Sequence, residues 1–478
     1  MTDVKEAGNV NRTFPKDFLF GVATAAYQIE GAAHEDGRTD SIWDAFSRLP
    51  GAVVGADSGE VACDHYHRSA DDVKLMAGLG IQTYRFSTSW SRVRPDGGAV
   101  NEKGLDFYSK LVDQLLDNDI KPWLTLYHWD LPQALEEQGG WTNRETAERF
   151  TEYALSVHDR LGDRVDAWTT LNEPWCSSFL GYTGGEHAPG RQSKRDGMVA
   201  AHHLLLAHGR TVNELRARDS SLKLGITLNL TVADPLDPTD AGDVDAARKI
   251  DGQFNRFFLD PIFRGEYPAD ILQDLWQHRF EEVIQPGDLA IISTPIDALG
   301  VNYYHGEALS AHPPTVPEIT TAAPSERPKA SPFPDTAGVF WHPRGYPVTA
   351  MGWEVQPEGL TRLLRRVKDD YTGSKVDLYV TENGAAYDDV VAEDGVVHDE
   401  ERAEFLRLHL SAILDAIDQG VDVKGYFYWS LMDNFEWAWG YAKRFGLVRV
   451  DYDTQVRTVK ESGREYARII ASRSESTS

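Results

Sequence analysis

Short apolar, β-branched or aromatic runs alternate with longer stretches of helical period along this chain. The runs fall at 18–24, 83–88, 121–127, 165–171, 223–229, 297–304, 378–381 and 423–429. Between them, apolar positions recur at three- and four-residue steps. Leu105, Tyr108, Leu111, Val112, Leu115 and Leu116 do so within 104–118, and Phe405, Leu408, Leu410, Ile413, Leu414 and Ile417 within 404–417. That period gathers apolar side chains on one helix face, more cleanly in the first segment than in the second. Strand–helix alternation implies parallel strands with helices packed outside. Eight such strands fit an α/β chain closed into a (β/α)8 TIM barrel better than an open doubly wound sheet.

No short fixed-period repeat is visible, which argues against a solenoid or propeller. No composition break marks a domain boundary. Residues 14–468 therefore read as one barrel domain with extended loops at its C-terminal face, and 1–13 and 469–478 as flexible termini. One segment departs from the rest: 312–347 holds 9 of the chain's 23 prolines. Proline cannot complete ladder or helix hydrogen bonds, so this is an excursion after the sixth strand. A linker is one reading of it. Trp341, Tyr346 and Trp353 near its end favour an ordered loop folded back at a site mouth.

Charge narrows the field of functions. The chain has 478 residues, with 75 acidic against 48 basic side chains, a formal charge of −27. Such a field repels phosphate backbones and anionic headgroups, which argues against nucleic-acid and membrane partners. Its plainest consequence is solubility. Cys63 and Cys176 stand far apart with no CxxC pattern, so they make neither a disulfide framework nor a structural zinc site. Two free thiols are the default and a single bridge the alternative. The leading MTDVKEAGNVNRTF is polar, and no apolar run approaches the roughly 18 residues of a membrane span. The expectation is a soluble, cytoplasmic protein.

In a barrel, functional side chains sit where strands end. The fourth predicted strand ends in Asn172–Glu173–Pro174 and the seventh in Glu382–Asn383–Gly384. Two carboxyl groups facing each other across a barrel mouth are the equipment of glycoside hydrolysis, one as acid and the other as base or nucleophile. Either glutamate alone is weak evidence, because a strand-end Glu is commonly a solvated turn residue. Their surroundings strengthen the pair. A pyranose offers a C–H face to a tryptophan ring and a rim of hydroxyls to polar partners. The strand ends supply Gln28, His128, Trp129, Asn172, Asn302, Tyr303, Tyr304, Trp429, Glu436 and Trp437.

The blocks FPKDFLFGVATAAYQIEGA, YRFSTSWSR, TLYHWDLPQAL, TLNEPW, GVNYY, YVTENG and YFYWSLMDNFEWAWGYAKRFGL, in this order, resemble glycoside hydrolase family one, the β-glucosidase family. The resemblance runs from about Phe14 to Tyr466. It implies a retaining double displacement with Glu382 as nucleophile and Glu173 as acid/base, their carboxyls about 5–5.5 Å apart. Arg85, Asn302 and Tyr304 resemble the family's supporting residues, with Arg85 expected to depress the Glu382 pKa. Gln28, His128, Trp129, Asn172, Glu436, Trp437 and Phe445 are the implied glycone contacts, over Trp429 as a stacking floor. Glu436 implies an unphosphorylated glycone, since a carboxylate beside O4 and O6 repels a 6-phosphate. Trp175 and Trp353 are implied walls of an aglycone channel. His187 lines its entrance or caps a loop. The chemistry implies no cofactor and no metal, and leaves the oligomeric state open. Cys176 takes no role beyond a position that favours thiol sensitivity.

Other signals read as structural. Cys63–His67 has metal-ligand residue types but matches a stretch leading into a helix. His202, His203 and His208 read as packing or solvated residues, Asp71–Asp72 and Glu400–Glu401 as solvated helix N-terminal charges. The expected activity is hydrolysis of terminal β-glucosides. A galactosidase or fucosidase preference, or a non-catalytic sugar-binding relative, stands as the alternative.

Overall fold

A computed structural model describes residues 13–315, 322–324 and 326–475, the side chains of 474 and 475 excepted. Eight parallel strands close into a barrel: β1 (Leu19–Ala23), β2 (Thr83–Ser87), β3 (Lys121–Tyr127), β4 (Ala167–Asn172), β5 (Leu224–Asn229), β6 (Ala298–Asn302), β7 (Asp377–Asn383) and β8 (Val423–Trp429). Each strand pairs with its neighbours in the chain, and β1 closes the ring against β8, with Phe20 opposite Tyr426. The runs expected from the sequence are these eight strands, shifted at their ends by a residue or two. β7 extends two residues beyond its expected end, through Glu382 and Asn383.

The strands read as near-continuous apolar runs because both faces are covered. β2 and β4 are buried at every position, as parallel strands between a filled barrel and an outer helix layer must be. The helix Glu102–Leu116 buries Leu105, Tyr108, Leu111, Val112 and Leu115, while Leu116 lies off that face and is exposed. The helix Glu400–Asp418 begins four residues before the periodic segment and buries Phe405, Leu410, Ile413 and Leu414.

Three expectations need amendment. Asp72 is not a solvated helix charge: it is buried, accepting from Arg457 Nε at 2.9 Å and lying 2.8 Å from His65 Nδ1. The last helix runs Glu461–Glu475, so helical backbone continues past 468. Residues 1–12 and 476–478 of the expected flexible termini lie outside the described residues. In the proline-rich excursion, Phe340–Trp341 pairs with the strand Glu307–Ser310, which folds the segment back onto the body. Tyr346 does not join it and stays exposed. Residues 316–321 and 325 lie outside the description.

Candidate active site

The C-terminal ends of the strands open into a cavity of about 570 Å³ lined by Glu173, Glu382, Glu436, Tyr304 and a wall of aromatic rings. That volume suits a small ligand and is within the ordinary range for enzyme pockets. Register slips fall where strands deliver these side chains. β6 and β7 shift between Val380 and Glu382, and β4 and β5 between Thr169 and Asn172. Three non-glycine residues here take left-handed backbone: Glu173 (φ 46°), Trp129 (φ 79°) and Trp437 (φ 49°). Such conformations cost about 1–3 kcal/mol each and persist only where the surroundings over-determine them. Gly384 follows Glu382 and Asn383 for a steric reason, since a Cβ there would sit 1.8 Å from the Trp429 carbonyl oxygen.

The two strand-end carboxyls have unlike neighbours. Arg85 Nη1 donates to Glu382 Oε1 at 2.6 Å, and the Tyr304 hydroxyl donates to Oε2 at 2.8 Å. Glu173 meets only neutral donors. Asn302 Nδ2 reaches its Oε1 at 2.6 Å, and the Cys176 thiol reaches Oε2 at 3.2 Å. Burial raises both, and for Glu173 the nearby Glu382 charge adds to it, bringing that carboxyl up to about 8. At Glu382, burial outweighs Arg85, so the expected depression becomes a net rise above the ordinary carboxylate value. The pair's proton belongs on Glu173, because Glu382 alone touches a permanent cation.

A hydrogen-bond relay fixes the orientations behind this pair. Arg85 Nη2 donates to Asn172 Oδ1 at 2.6 Å, so the Asn172 amide nitrogen must face His128 Nε2, 3.0 Å away. His128 therefore carries its ring proton on Nδ1, which has no partner among the described residues. Burial holds this imidazole neutral, well below its usual pKa. Gln28 gives its amide nitrogen to Asn434 and Phe435, leaving Oε1 buried and unpartnered. Glu436 Oε2 is likewise unpartnered, and burial beside Glu382 and Glu173 raises its carboxyl to about 8. Orphaned buried polar atoms are rare unless a ligand completes them. Here His128 and Glu436 line the cavity, while Gln28 stands buried behind that lining.

Of the residues expected from the sequence, Glu173, Glu382, Asn302, Tyr304, His128, Trp129, Trp429, Glu436, Trp437, Phe445, Trp175, His187 and Trp353 all line the cavity. Arg85, Asn172 and Gln28 do not; each is buried behind that lining. Trp129 packs on Trp437 with ring centres 4.5 Å apart, and His128 stacks near Trp429 at 5.7 Å. His187 packs edge-on to Trp43 at 5.3 Å and is held neutral by burial, which lowers it to about 3. Trp353 stacks on His305, while Trp175 meets Phe254 and Phe333. The Cys63–His67 stretch makes structural bonds, with the Cys63 thiol donating to the Asp433 carbonyl at 3.1 Å. His202, His203 and His208 are buried and each holds a polar partner.

Sequence reading missed Glu186, Phe254, Glu307, Phe333 and Met351, which also border the cavity. Phe254 comes from a helix, Glu307 from the short strand Glu307–Ser310 outside the barrel, and the others from loops and the proline-rich excursion, where no periodic signal marks direction. Glu307 is pushed up to about 8 by burial.

Residues 10–475 match the family model described as glycosyl hydrolase family 1. Beta-glucosidase A of Thermotoga maritima is 45% identical over 462 residues, spanning 96% of this chain and 98% of that relative. A bifunctional beta-D-glucosidase/beta-D-fucosidase of Bifidobacterium breve is 48% identical over 472 residues, spanning 96% and 99%. Among solved structures, the psychrophilic beta-glucosidase BglU of Micrococcus antarcticus superposes with a TM-score of 0.94 at 57% identity, covering 97% of this chain and 98% of that one. The Thermotoga maritima beta-glucosidase in complex with glucoimidazole gives 0.89 at 44%, covering 96% and 99%.

Proposed function

The chain belongs to glycosyl hydrolase family 1, and on that premise we propose that it is a β-glucosidase that releases terminal β-D-glucosyl residues with retention through a covalent glycosyl-enzyme. The observation that carries the mechanism is the unequal setting of two buried carboxyls. Glu382 is clamped by a cation and a phenol, and Glu173 is held by neutral donors only. Glu382, ionised, attacks the anomeric carbon. Glu173 passes its proton to the glycosidic oxygen as the bond to the aglycone breaks. The ester formed on Glu382 removes its charge, and with it the repulsion that kept Glu173 protonated. Glu173 then takes a proton from water, whose oxygen attacks the anomeric carbon and frees Glu382.

His128 Nδ1, Gln28 Oε1 and Glu436 supply hydroxyl partners for the glycone, with Trp429 and Trp437 as its apolar support. Asn172 serves the 2-hydroxyl through the same amide that anchors Arg85. Trp175, His187 and Trp353 border the aglycone side, and Phe445 belongs with the glycone contacts. Cellobiose and alkyl or aryl β-glucosides are the substrates in this reading, and its setting is the cytoplasm. No described helix is long and apolar enough to cross a membrane. A β-fucosidase activity beside the glucosidase is favoured by the bifunctional relative, itself 48% identical.

Proton NMR of an aryl β-glucoside early in turnover tests the mechanism. β-Glucose is expected first, before mutarotation; α-glucose first would mean inversion and a different role for the pair. Comparing aryl glucoside, fucoside and galactoside ranks the glycones.

A further inference from the structure

The acid/base carboxyl reached above is embedded in a chain of bonds whose direction has only one solution. Arg85 carries donors alone, so the oxygen facing it on Asn172 must be Oδ1. That same Oδ1 is approached at 3.2 Å by the Asn302 side chain, which must present its Nδ2 there. Thr381 Oγ1 donates to Asn302 Oδ1 at 2.7 Å, which agrees with that orientation. Nδ2 then delivers its second hydrogen to Glu173 Oε1 at 2.6 Å. An oxygen already held by a strong N–H is the one that stays carbonyl-like when the group is protonated. The other oxygen, Oε2, faces the Cys176 sulfur at 3.2 Å. Asn229 Nδ2 donates to that sulfur at 3.5 Å, so the sulfur is the acceptor there and its S–H is left for the carboxyl.

We propose that this relay confines the acid proton of Glu173 to Oε2, and that Cys176 is a positioning residue whose S–H competes with that proton for Oε2. The inference rests on the reading of Glu173 as acid/base. The thiol bond is made fully only when Oε2 has given its proton away, so it favours the carboxylate. It therefore eases proton transfer to the departing oxygen and steadies the base that follows. The sulfur stays a thiol throughout, since burial and the neighbouring carboxylates hold it far above its usual pKa.

The test is the pH dependence of kcat/KM for wild type, Cys176→Ala and Cys176→Ser, on an alkyl β-glucoside and on 2,4-dinitrophenyl β-glucoside. Losing the donor in Cys176→Ala is expected to move the alkaline limb up by about half a pH unit, or threefold in acidity. The alkyl glucoside, whose leaving oxygen needs the proton, slows by about threefold to tenfold. The dinitrophenyl glucoside, whose leaving group needs none, stays within about twofold. Cys176→Ser keeps a donor and returns the limb to the wild-type position or below it. Identical limbs in all three proteins, or equal losses on both substrates, would overturn the proposal and leave Cys176 as packing. Should Glu173→Gln turn over the alkyl glucoside at the wild-type rate, the acid/base reading itself fails, whatever Cys176 does.

Discussion

Glu173, Glu382 and Glu436 share one cavity and one side-chain chemistry, yet their neighbours divide them. Only Glu382 is hydrogen-bonded to Arg85, and only Glu173 has the Cys176 thiol against it. Activity through such a pair requires Glu382 ionised and Glu173 protonated. The alkaline limb of kcat/KM is therefore expected near pH 8, where Glu173 loses its proton. Glu173→Gln should lose about 10²–10⁴-fold on alkyl glucosides and much less on dinitrophenyl glucoside, and its alkaline limb should vanish; parallel pH profiles check this. Glu436 makes a stability prediction. Its folded pKa lies near 8 against an ordinary 4.5, so the folded state binds the extra proton between those values. Its contribution to stability then falls as pH rises through that window. Glu436→Gln should melt a few degrees above wild type at pH 8 and equal to it near pH 4, while losing glycone affinity. A thermal scan at both pH values decides it.

The loop after β8 brings Glu436 and Trp437 to the site, and a buried ionic cluster holds its base. Lys460 Nζ meets Asp433 at 2.6 Å and also bonds Asp389, Arg402 bonds Asp389 at 2.9 Å and Asp399 besides, and Arg444 closes on Asp433 at 2.7 Å. Three cations balance three carboxylates, so removing one leaves an unpaired buried charge. Lys460→Met is expected to destabilise the fold by about 3–5 kcal/mol in urea unfolding. It should also raise KM more than it lowers kcat, since the loop and not the carboxyl pair is loosened. Elements of this kind were partly legible in the chain. The strands announced themselves because both of their faces are covered and their residues are uniformly apolar. Glu173 and Glu382 were legible as strand ends, and the resemblance of whole blocks supplied their partners. Asp72 was misread because a helix position says nothing about the distant Arg457 that pairs with it. Phe254 was invisible because helix geometry, not period, turns it inward, and Glu307 because its short strand stands outside the eight of the barrel. The contact between Cys176 and Glu173 depends on the left-handed turn at Glu173, which the letters NEPWC do not disclose.

Across the whole molecule the net charge of −27 is not spread evenly with respect to the site. Six glutamates border the cavity, and no lysine or arginine appears in its lining among the described residues. Arg344 neutralises Glu354 through a 2.8 Å bond, and Lys329 stands 3.8 Å from Glu186. Among the described residues Glu307 has no comparable cation in hydrogen-bond contact, only His305 Nδ1 at 3.3 Å, an imidazole that burial lowers to about 4. From about pH 8 upward, where Glu307 ionises, an aglycone carrying a carboxylate should therefore be a poorer substrate than its neutral ester, and the gap should close at lower pH. Added salt should narrow the gap, since mobile ions screen long-range repulsion. Measuring kcat/KM for a 4-carboxyphenyl β-glucoside and its methyl ester at low and high ionic strength checks this; a gap insensitive to salt would assign it to shape.

Closure of the ring has a consequence for how the chain is made. β1 hydrogen-bonds β8, and the Tyr466 hydroxyl reaches across to the Gly21 carbonyl at 2.9 Å, so the first strand is completed by residues translated long after it. About 400 positions separate the two edges, which at roughly 5–20 residues per second is on the order of 20–80 s of synthesis. For all that time the nascent β1 presents one open row of backbone donors and acceptors, the kind of edge that recruits stray strands. Trp429 arrives on the closing strand itself, so part of the cavity wall is laid at the moment the edge disappears. A ribosome-bound chain is thus inert until the ring shuts, and the appearance of turnover would time the last step of its assembly.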